Sequence, residues 1–276
     1  MRANPLIVPT FLLAGILFAA GAQSSGRARP TWGSALVFLL GSVLALPGLL
    51  MATYYLHLFD DAQWFYEFRA LPYSELTAGG AGLLAGFLYR RSSRWRVPLR
   101  TIGMAAFPCA LALGLLVPYL KPIILPVDWN LFRDRWSEGV CIQSTSASCG
   151  PACVATLLRV AGHQVTERQI ARECYTYARG TENWYMVRAL ERRGVPATIV
   201  VNDAAALQLQ PPCVAGVRLG GARGAGHFVA VIERTRDGYV IGDPLRGRLI
   251  IGEPESTSAY YFTGFFIKVT AAIPPG

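Results

Sequence analysis

Four residues in the carboxy-terminal half have the types and the order that a thiol hydrolase requires: Gln143, Cys149, His227 and Asp243. Gln143 lies six positions before Cys149, and Cys149 stands directly before a Gly-Pro pair that opens an apolar run. A thiol attacks a carbonyl carbon only as the thiolate, and the unpaired N–H groups at a helix start favour that anion. The side-chain amide of Gln143 could donate a hydrogen bond to the developing oxyanion, beside the backbone N–H of Cys149.

A histidine and a carboxylate follow the cysteine. His227 begins a β-like run, whereas His57 and His163 lie at the end of an apolar stretch and in a turn. His227 is therefore the predicted proton carrier, which takes the thiol proton and later protonates the leaving amine. Asp243 ends the next β-like run and would accept a hydrogen bond from the other ring nitrogen, which fixes the tautomer.

The remaining cysteines have other interpretations. Cys153, one turn after Cys149 and flanked by apolar residues, is interpreted as a core residue. The C-x-x-x-C spacing has no second close pair, so it fits a structural zinc site poorly. In an oxidising compartment two of Cys141, Cys174 and Cys213 could form a disulfide, whose pairing the sequence leaves open. We therefore predict a Cys/His/Asp site without metal or cofactor.

The order and context of these residues resemble the papain-like double-glycine peptidases, whose members trim the leader peptides of bacteriocins. The resemblance covers roughly residues 141–269 and rests on Gln143…Cys149-Gly, His227-Phe-Val and Asp243-Pro244. At one position the chain departs from the family, since Ser148 stands where members often carry an acidic residue. The resemblance implies a peptide or protein substrate with small residues, such as Gly-Gly, before the cut, and an exporter as a membrane partner. No G-x-x-x-x-G-K-[ST] motif occurs in these 276 residues, so the chain itself is not expected to be the ATP-driven exporter.

The first half of the chain is too apolar for an ordinary soluble domain. Apolar residues make up 53% of the sequence and charged residues only 16%, and the apolar excess lies before residue 127. Four stretches are apolar enough to predict transmembrane helices: 6–22, 32–56, about 71–89 and 102–125. The third stretch is rich in glycine and follows Glu75, so it is the weakest of the four. The first could instead be a cleaved signal peptide.

The charge distribution predicts how these stretches cross the bilayer. Residues 1–135 hold twelve Lys and Arg against six Asp and Glu, and residues 136–276 hold fourteen against eleven. The net charge of +9 is thus mainly membrane-proximal, which argues against a nucleic-acid partner. If all four stretches span, the arginines of residues 90–100 and of residues 27–29 share one side and the acidic connection 60–67 takes the other. The positive-inside rule then predicts a multi-pass inner-membrane protein whose catalytic half is extracytoplasmic; without the third span the side reverses.

In the second half, helix signals precede strand signals. An apolar run at 151–161 ends at Gly162, Thr166 opens a capping box, and short β-branched runs follow Pro196. Helices followed by strands are typical of an α+β domain. We therefore predict an α-helical transmembrane region at 1–126, an interfacial linker at 127–140, and an α+β papain-like cysteine peptidase domain at 141–276.

The predicted function is a membrane-anchored cysteine peptidase that hydrolyses peptide bonds by thiolate attack. Two alternatives use the same residues. An amidase or acyltransferase would apply the same triad to another substrate, and a catalytically silent domain would only bind peptides within a membrane assembly. The sequence does not separate these three.

Overall fold

The computed structural model describes residues 4–25, 32–56, 62–202, 209–253 and 260–270. Its internal contacts divide the chain into two compact units. The helical unit comprises Ala3–Asp60 and Tyr73–Ile123, and the α+β unit comprises Met1–Arg2, Asp61–Pro72 and Ile124–Gly276. The segment Asp61–Pro72 therefore belongs to the α+β unit, although apolar stretches flank it on both sides.

Helices dominate the first half of the described chain, and strands dominate its end. The helices are α1 (Ile7–Ser24), α2 (Trp32–Tyr55), α3 (Gln63–Ala70), α4 (Ala81–Ser92), α5 (Val97–Ile124), α6 (Cys149–Val160), α7 (Glu167–Glu173) and α8 (Asn183–Glu191). The strands are β1 (Arg135–Ser137), β2 (Val140–Ile142), β3 (Ala197–Val201), β4 (Cys213–Leu219), β5 (Ala225–Thr235), β6 (Gly238–Asp243), β7 (Gly247–Ile251) and β8 (Tyr260–Val269). The predicted class, apolar helices followed by an α+β domain, is confirmed.

In the helical unit, three helices are long and apolar enough to cross a membrane. Within the described ranges these are α1, α2 and α5. The third predicted stretch, 71–89, does not form one α-helix, because residues Ser74–Gly80 form a 3₁₀ helix and α4 begins only at Ala81. Its glycines allow close packing: a Cβ on Gly86 would lie 1.9 Å from the Phe18 carbonyl oxygen of α1, and one on Gly82 would lie 2.2 Å from that of Ala14. The small residues thus bring α4 against α1, as transmembrane interfaces commonly do.

The α+β unit is built on one antiparallel sheet. Its six strands have the order β3-β8-β4-β5-β6-β7, and β1 pairs with β2 as a separate hairpin. Helix α6 packs against β5 and β2, and residues Gly150–Leu158 of this helix are all buried. Helix α6 is the buried helix that the sequence predicts at 151–161. Its packing places the first residue of the helix over the sheet.

Helix α3 completes the α+β unit from a distant part of the chain. The fully buried Trp184 of α8 stacks on the Tyr66 ring, with 6.5 Å between ring centroids. The guanidinium of Arg188 donates hydrogen bonds to the carbonyls of Ala70 (3.2 Å) and Leu71 (2.8 Å) at the end of α3. These carbonyls have no partner within the helix, so Arg188 acts as a cap. The sequence analysis treated this region only as an acidic connection.

Candidate active site

The turn before α6 places Cys149 at the first position of the helix. The Ser148 hydroxyl accepts a hydrogen bond from the Thr145 N–H and donates one to the Thr145 carbonyl, each at 3.0 Å. Gly150 leaves room for the Met186 side chain, since a Cβ there would lie 2.5 Å from the Met186 sulfur. The Cys149 thiol is half-buried at the helix start, where the helix dipole favours a negative charge.

Strands β5 and β6 bring the predicted imidazole and carboxylate together. His227 lies on β5 and Asp243 is the last residue of β6. The His227 Nε2 is 2.8 Å from the Asp243 Oδ1, and both side chains are buried. The Cys149 thiol lies beside the His227 ring and, together with Asp243, favours its charged form. The structure therefore brings Cys149, His227 and Asp243 together, with a hydrogen bond between the imidazole and the carboxylate.

Asp243 has further partners on both carboxylate oxygens. Its Oδ1 also accepts the Leu245 N–H at 2.8 Å, and its Oδ2 accepts the Tyr260 hydroxyl at 2.6 Å. Burial favours the neutral acid, but the hydrogen bonds from His227, Tyr260 and Leu245 outweigh it and hold the pKa of Asp243 below its ordinary value. The carboxylate is thus charged and fixed in orientation. Tyr260 was missed in the sequence analysis, because no local pattern distinguishes it from the other aromatic residues of β8.

The same contacts favour the charged form of His227. Burial disfavours the imidazolium, but the hydrogen bond to Asp243 and the neighbouring Cys149 outweigh it and raise the pKa of His227 to about 9. The ring can therefore carry a proton at neutral pH. An imidazolium beside the thiol is what a thiolate–imidazolium pair requires.

The other thiols have different surroundings. Cys141, Cys153, Cys174 and Cys213 are buried free thiols, and burial raises the pKa of each, to about 12 for Cys174 and for Cys213. A thiol that keeps its proton is a poor nucleophile. Of the cysteines in the α+β unit, only Cys149 is partly exposed. No three His, Cys, Asp or Glu side chains in the described ranges lie close enough together to hold a metal ion.

Gln143 lies close to Asp243 in the fold but does not line the cavity beside Cys149. Its backbone N–H donates to the Pro244 carbonyl at 2.9 Å, and its Nε2 donates to the Thr145 carbonyl at 2.8 Å. The Oε1 is buried and has no hydrogen-bond partner among the described residues. Because a side-chain amide carries two N–H donors, one donor of Gln143 remains after the bond to Thr145. The sequence-based role of Gln143 as oxyanion donor stays a prediction.

A cavity of about 340 Å³ opens beside the Cys149 thiol and the His227 ring. Helix α6, the loop before α8 and strands β4, β5 and β8 contribute its walls, which include the apolar side chains of Val217, Phe228 and Phe265. Arg179 and Arg218 are the permanently charged residues of this lining, and no Asp or Glu is among the described residues that form it. The cavity has room for a few residues of a peptide next to the thiol.

The second half of the chain is similar to known proteins. Residues 137–272 match the family model described as the Peptidase C39 family. The chain is 28% identical over 145 residues to the probable microcin-H47 secretion/processing ATP-binding protein of Escherichia coli, which covers 51% of this chain and 19% of that protein. It is 31% identical over 114 residues to an uncharacterised protein of Methanothermobacter marburgensis, which covers 41% of this chain and 77% of that protein.

Two solved structures are also similar to the chain. One is a double glycine motif protease from an AMS/PCAT transporter in complex with the leader peptide, at 21% identity over 50% of this chain and 93% of that one, with a TM-score of 0.40. The other is the peptidase domain of Streptococcus ComA, a bifunctional ABC transporter of a quorum-sensing pathway, at 19% identity over 48% and 96%, with a TM-score of 0.38.

The family match defines the carboxy-terminal half as a cysteine peptidase domain, and the half-buried thiol, the imidazole and the buried carboxylate are its candidate site. The chain belongs to the Peptidase C39 family through residues 137–272. The predicted double-glycine peptidase family and the predicted enzyme class are therefore confirmed. The chain spans about a fifth of the length of the Escherichia coli relatives that it matches.

Proposed function

We propose that the α+β unit hydrolyses a peptide bond by attack of the Cys149 thiolate on the carbonyl carbon. The observation that carries this proposal is the placement of the Cys149 thiol at a helix start beside His227, whose ring is hydrogen-bonded to the buried Asp243. His227 takes the thiol proton, and the Cys149 sulfur forms a bond to the carbonyl carbon. The C–N bond then breaks, and His227 gives its proton to the leaving amine.

The second half of the reaction releases the acyl group. Water attacks the thioester carbonyl, His227 accepts the proton from that water, and the C–S bond breaks as Cys149 leaves as the thiolate. Asp243 keeps the imidazole in the orientation that both steps need. In this proposal the free N–H of Gln143 and the backbone N–H of Cys149 stabilise the oxyanion, and loss of one such donor typically costs about 3 kcal/mol.

The proposed substrate is a leader peptide with Gly-Gly or other small residues before the cut. Family membership supports this, as do the names of the Escherichia coli relatives, which describe secretion and processing proteins that bind ATP. In the cavity wall, β4 and β8 pack closely, since a Cβ on Gly216 would lie 2.9 Å from the Thr263 hydroxyl oxygen. An exporter is the proposed membrane partner, which the names of these relatives support.

We further propose that the chain is a multi-pass inner-membrane protein. Helix α3 belongs to the α+β unit, and the polypeptide leaves α3 through residues 74–92 and returns through α5. If α5 crosses the bilayer, residues 74–92 must cross as well, so that α3 and α6 can share one side. With a rise of ~2.0 Å per residue in the 3₁₀ helix and ~1.5 Å in α4, these residues would extend about 32 Å, close to the ~30 Å hydrocarbon core.

The arginines between α4 and α5 favour an extracytoplasmic α+β unit. Arg90, Arg91, Arg94, Arg96 and Arg100 are concentrated in and beside that connection, and the positive-inside rule assigns such a segment to the cytoplasm. An alkaline phosphatase fused after Gly276 is then expected to be active, and a reporter that fluoresces only in the cytoplasm is expected to stay dark there. The opposite pair of results would contradict this orientation.

The peptidase activity is tested with Cys149→Ala and the matched control Cys153→Ser. New peptide termini in cells that carry the wild-type chain are expected to disappear with Cys149→Ala and to persist with Cys153→Ser, since Cys153 is buried in α6. Labelling by an iodoacetamide-type probe at mildly acidic pH should follow the same pattern. Cleavage that persists in Cys149→Ala would end the proposal.

A further inference from the structure

The buried partner of Asp243 on β8 has no part in the Cys149–His227–Asp243 group. Tyr260 is the first residue of β8, and its hydroxyl donates to the Asp243 Oδ2 at 2.6 Å, while His227 and the Leu245 N–H occupy the Oδ1. Only 3% of Tyr260 is exposed. The hydroxyl is therefore shielded from water and acts on one oxygen of a carboxylate whose other oxygen holds the imidazole.

Tyr260 acts on this carboxylate only as a neutral donor. Burial and the neighbouring Asp243 carboxylate raise the pKa of Tyr260, so the phenol keeps its proton over the working pH range. A hydrogen bond to a charged acceptor is strong, and it draws part of the negative charge toward the donor. The charge on Asp243 is thus divided between Tyr260 and the ring of His227.

Few other charged groups act on this pair. From α6, the Cys149 thiol faces His227 and the fully buried thiol of Cys153 lies within electrostatic range of Asp243. From the β6–β7 turn, the Arg246 Nε is 3.8 Å from the Asp243 Oδ2, but this side chain is half exposed, so water screens its charge. Apart from His227 itself, Tyr260 is the side chain among the described groups that both contacts Asp243 directly and is shielded from solvent.

We propose that Tyr260 is a positioning residue that limits how strongly Asp243 holds the imidazolium of His227, and thereby how readily His227 releases its proton to the leaving amine. The proposal rests on the proposed peptidase function. An imidazolium held too weakly does not form beside the thiolate, and one held too strongly is a poor general acid. Tyr260 takes up carboxylate charge and keeps His227 between these limits.

Tyr260→Phe tests the proposal, because it removes one hydroxyl and keeps the buried ring. The alkaline limb of the pH profile of kcat/KM is expected to move to higher pH. For a peptide substrate kcat is expected to fall about tenfold with little change in KM. For an ester with the same acyl part the loss should be smaller, because an alkoxide leaving group needs less help from a proton donor.

Matched variants separate this role from simple packing. Tyr261→Phe, at the neighbouring and more exposed position of β8, should leave both limbs unchanged. Asp243→Asn, which removes the charge itself, should move the alkaline limb to lower pH. If Tyr260→Phe moves the limb downward or leaves it in place, Tyr260 only holds Asp243 in position and the proposal is overturned.

Two further measurements keep the test independent of activity and of the folding of one variant. In Cys149→Ala protein with labelled histidines, the NMR titration midpoint of His227 should rise when Tyr260→Phe is added, and an unchanged midpoint would contradict the proposal even where no substrate is known. If Tyr260→Phe does not fold, 3-fluorotyrosine at position 260 replaces it. This stronger donor should lower the midpoint, and a rise would contradict the proposal. Cleavage by Cys149→Ala protein would instead overturn the peptidase function alone.

Discussion

The helical unit and the α+β unit distribute polar and apolar side chains in opposite ways. In the helical unit, Leu36 is 65% exposed, whereas the Thr10 and Tyr119 hydroxyls are buried and lie 2.9 Å apart. In the α+β unit large apolar side chains are buried, and one group of buried polar side chains, His227, Asp243 and Tyr260, forms a hydrogen-bonded cluster. The first distribution is typical of helices in lipid, where polar groups turn inward, and the second of a water-soluble domain with a reactive site.

This contrast teaches that a buried polar group has a different meaning in each unit. In the helical unit it joins helices, so its loss should change packing and leave the chemistry intact. In the α+β unit, the buried polar groups around Asp243 belong to the proposed reaction, so their loss should change activity before it changes the fold.

The largest effect is expected at His227. His227→Ala removes the proton carrier and should lower kcat/KM for peptide cleavage by ~10²–10⁴-fold or more. Asp243→Asn leaves a side chain that can still hydrogen-bond the ring, though in the wrong tautomer, so its loss should be smaller. Steady-state kinetics, with circular dichroism as the check on folding, measure both. Equal losses, or nearly full activity in His227→Ala, would contradict the assigned roles.

The next largest effect is expected on stability, when the contact between α3 and α8 is removed. This contact makes Asp61–Pro72 part of the α+β fold. Trp184→Ala removes a fully buried ring from under Tyr66 and Phe65 and should lower the free energy of unfolding by ~3–5 kcal/mol. The matched control is Trp64→Ala, which changes a half-exposed ring on α3 itself and should cost much less. Pulse proteolysis of the full chain in detergent and urea measures both. Similar costs would mean that α3 does not pack on α8 in solution.

The pH dependence of stability and of kcat/KM tests whether the buried groups around Asp243 support a charged His227. The contacts that raise the pKa of His227 to about 9 stabilise the folded state fully below the unfolded value of ~6.5. That stabilisation should be lost as the pH rises from ~6.5 through about 9, and the alkaline limb of kcat/KM should fall near pH 9. In His227→Gln protein the free energy of unfolding should lack this decline. An alkaline limb near pH 6.5 in the wild type would show that Asp243 does not support the imidazolium.

The smallest effect is expected in the helical unit. Tyr119→Phe breaks the hydroxyl pair with Thr10 and should cost ~0.6 kcal/mol, the average for such bonds between membrane helices, with peptidase activity unchanged. Ser42→Ala is the control, since this exposed hydroxyl bonds only its own helix, at the Phe38 carbonyl. Thermal unfolding in detergent compares the two. A loss of activity in Tyr119→Phe would contradict the claim that buried polar groups of the helical unit affect only packing.

Much of the site could be predicted because its signals are local. The spacing of Gln143, Cys149 and the following Gly-Pro pair marks a helix start, and single strands carry His227 and Asp243. The apolar run of α6 likewise predicts a buried helix without knowledge of its neighbours. Each of these features depends on residues within about one turn or one strand of each other.

The remainder depends on contacts between distant residues. Arg188 caps α3 across 118 positions of sequence to Ala70, so the short charged segment 62–72 had no visible partner. Tyr260 reaches Asp243 only because the sheet places β8 between β3 and β4, an order that periodicity does not contain. In the third apolar stretch, the glycines that serve close packing also allow a 3₁₀ start, which a count of apolar residues does not detect.

The position of β8 also bears on when the site is completed during synthesis. Strand β8 is the last described strand to leave the ribosome, yet it lies in the sheet between β3 and β4 and carries Tyr260. At a translation rate of ~5–20 residues per second, β8 is synthesised several seconds after β3. Until then β3 has no strand partner, and Asp243 lacks its phenol. A nascent chain that already contains Cys149, His227 and Asp243 therefore still lacks Tyr260 and the β8 part of the cavity wall until translation has passed β8.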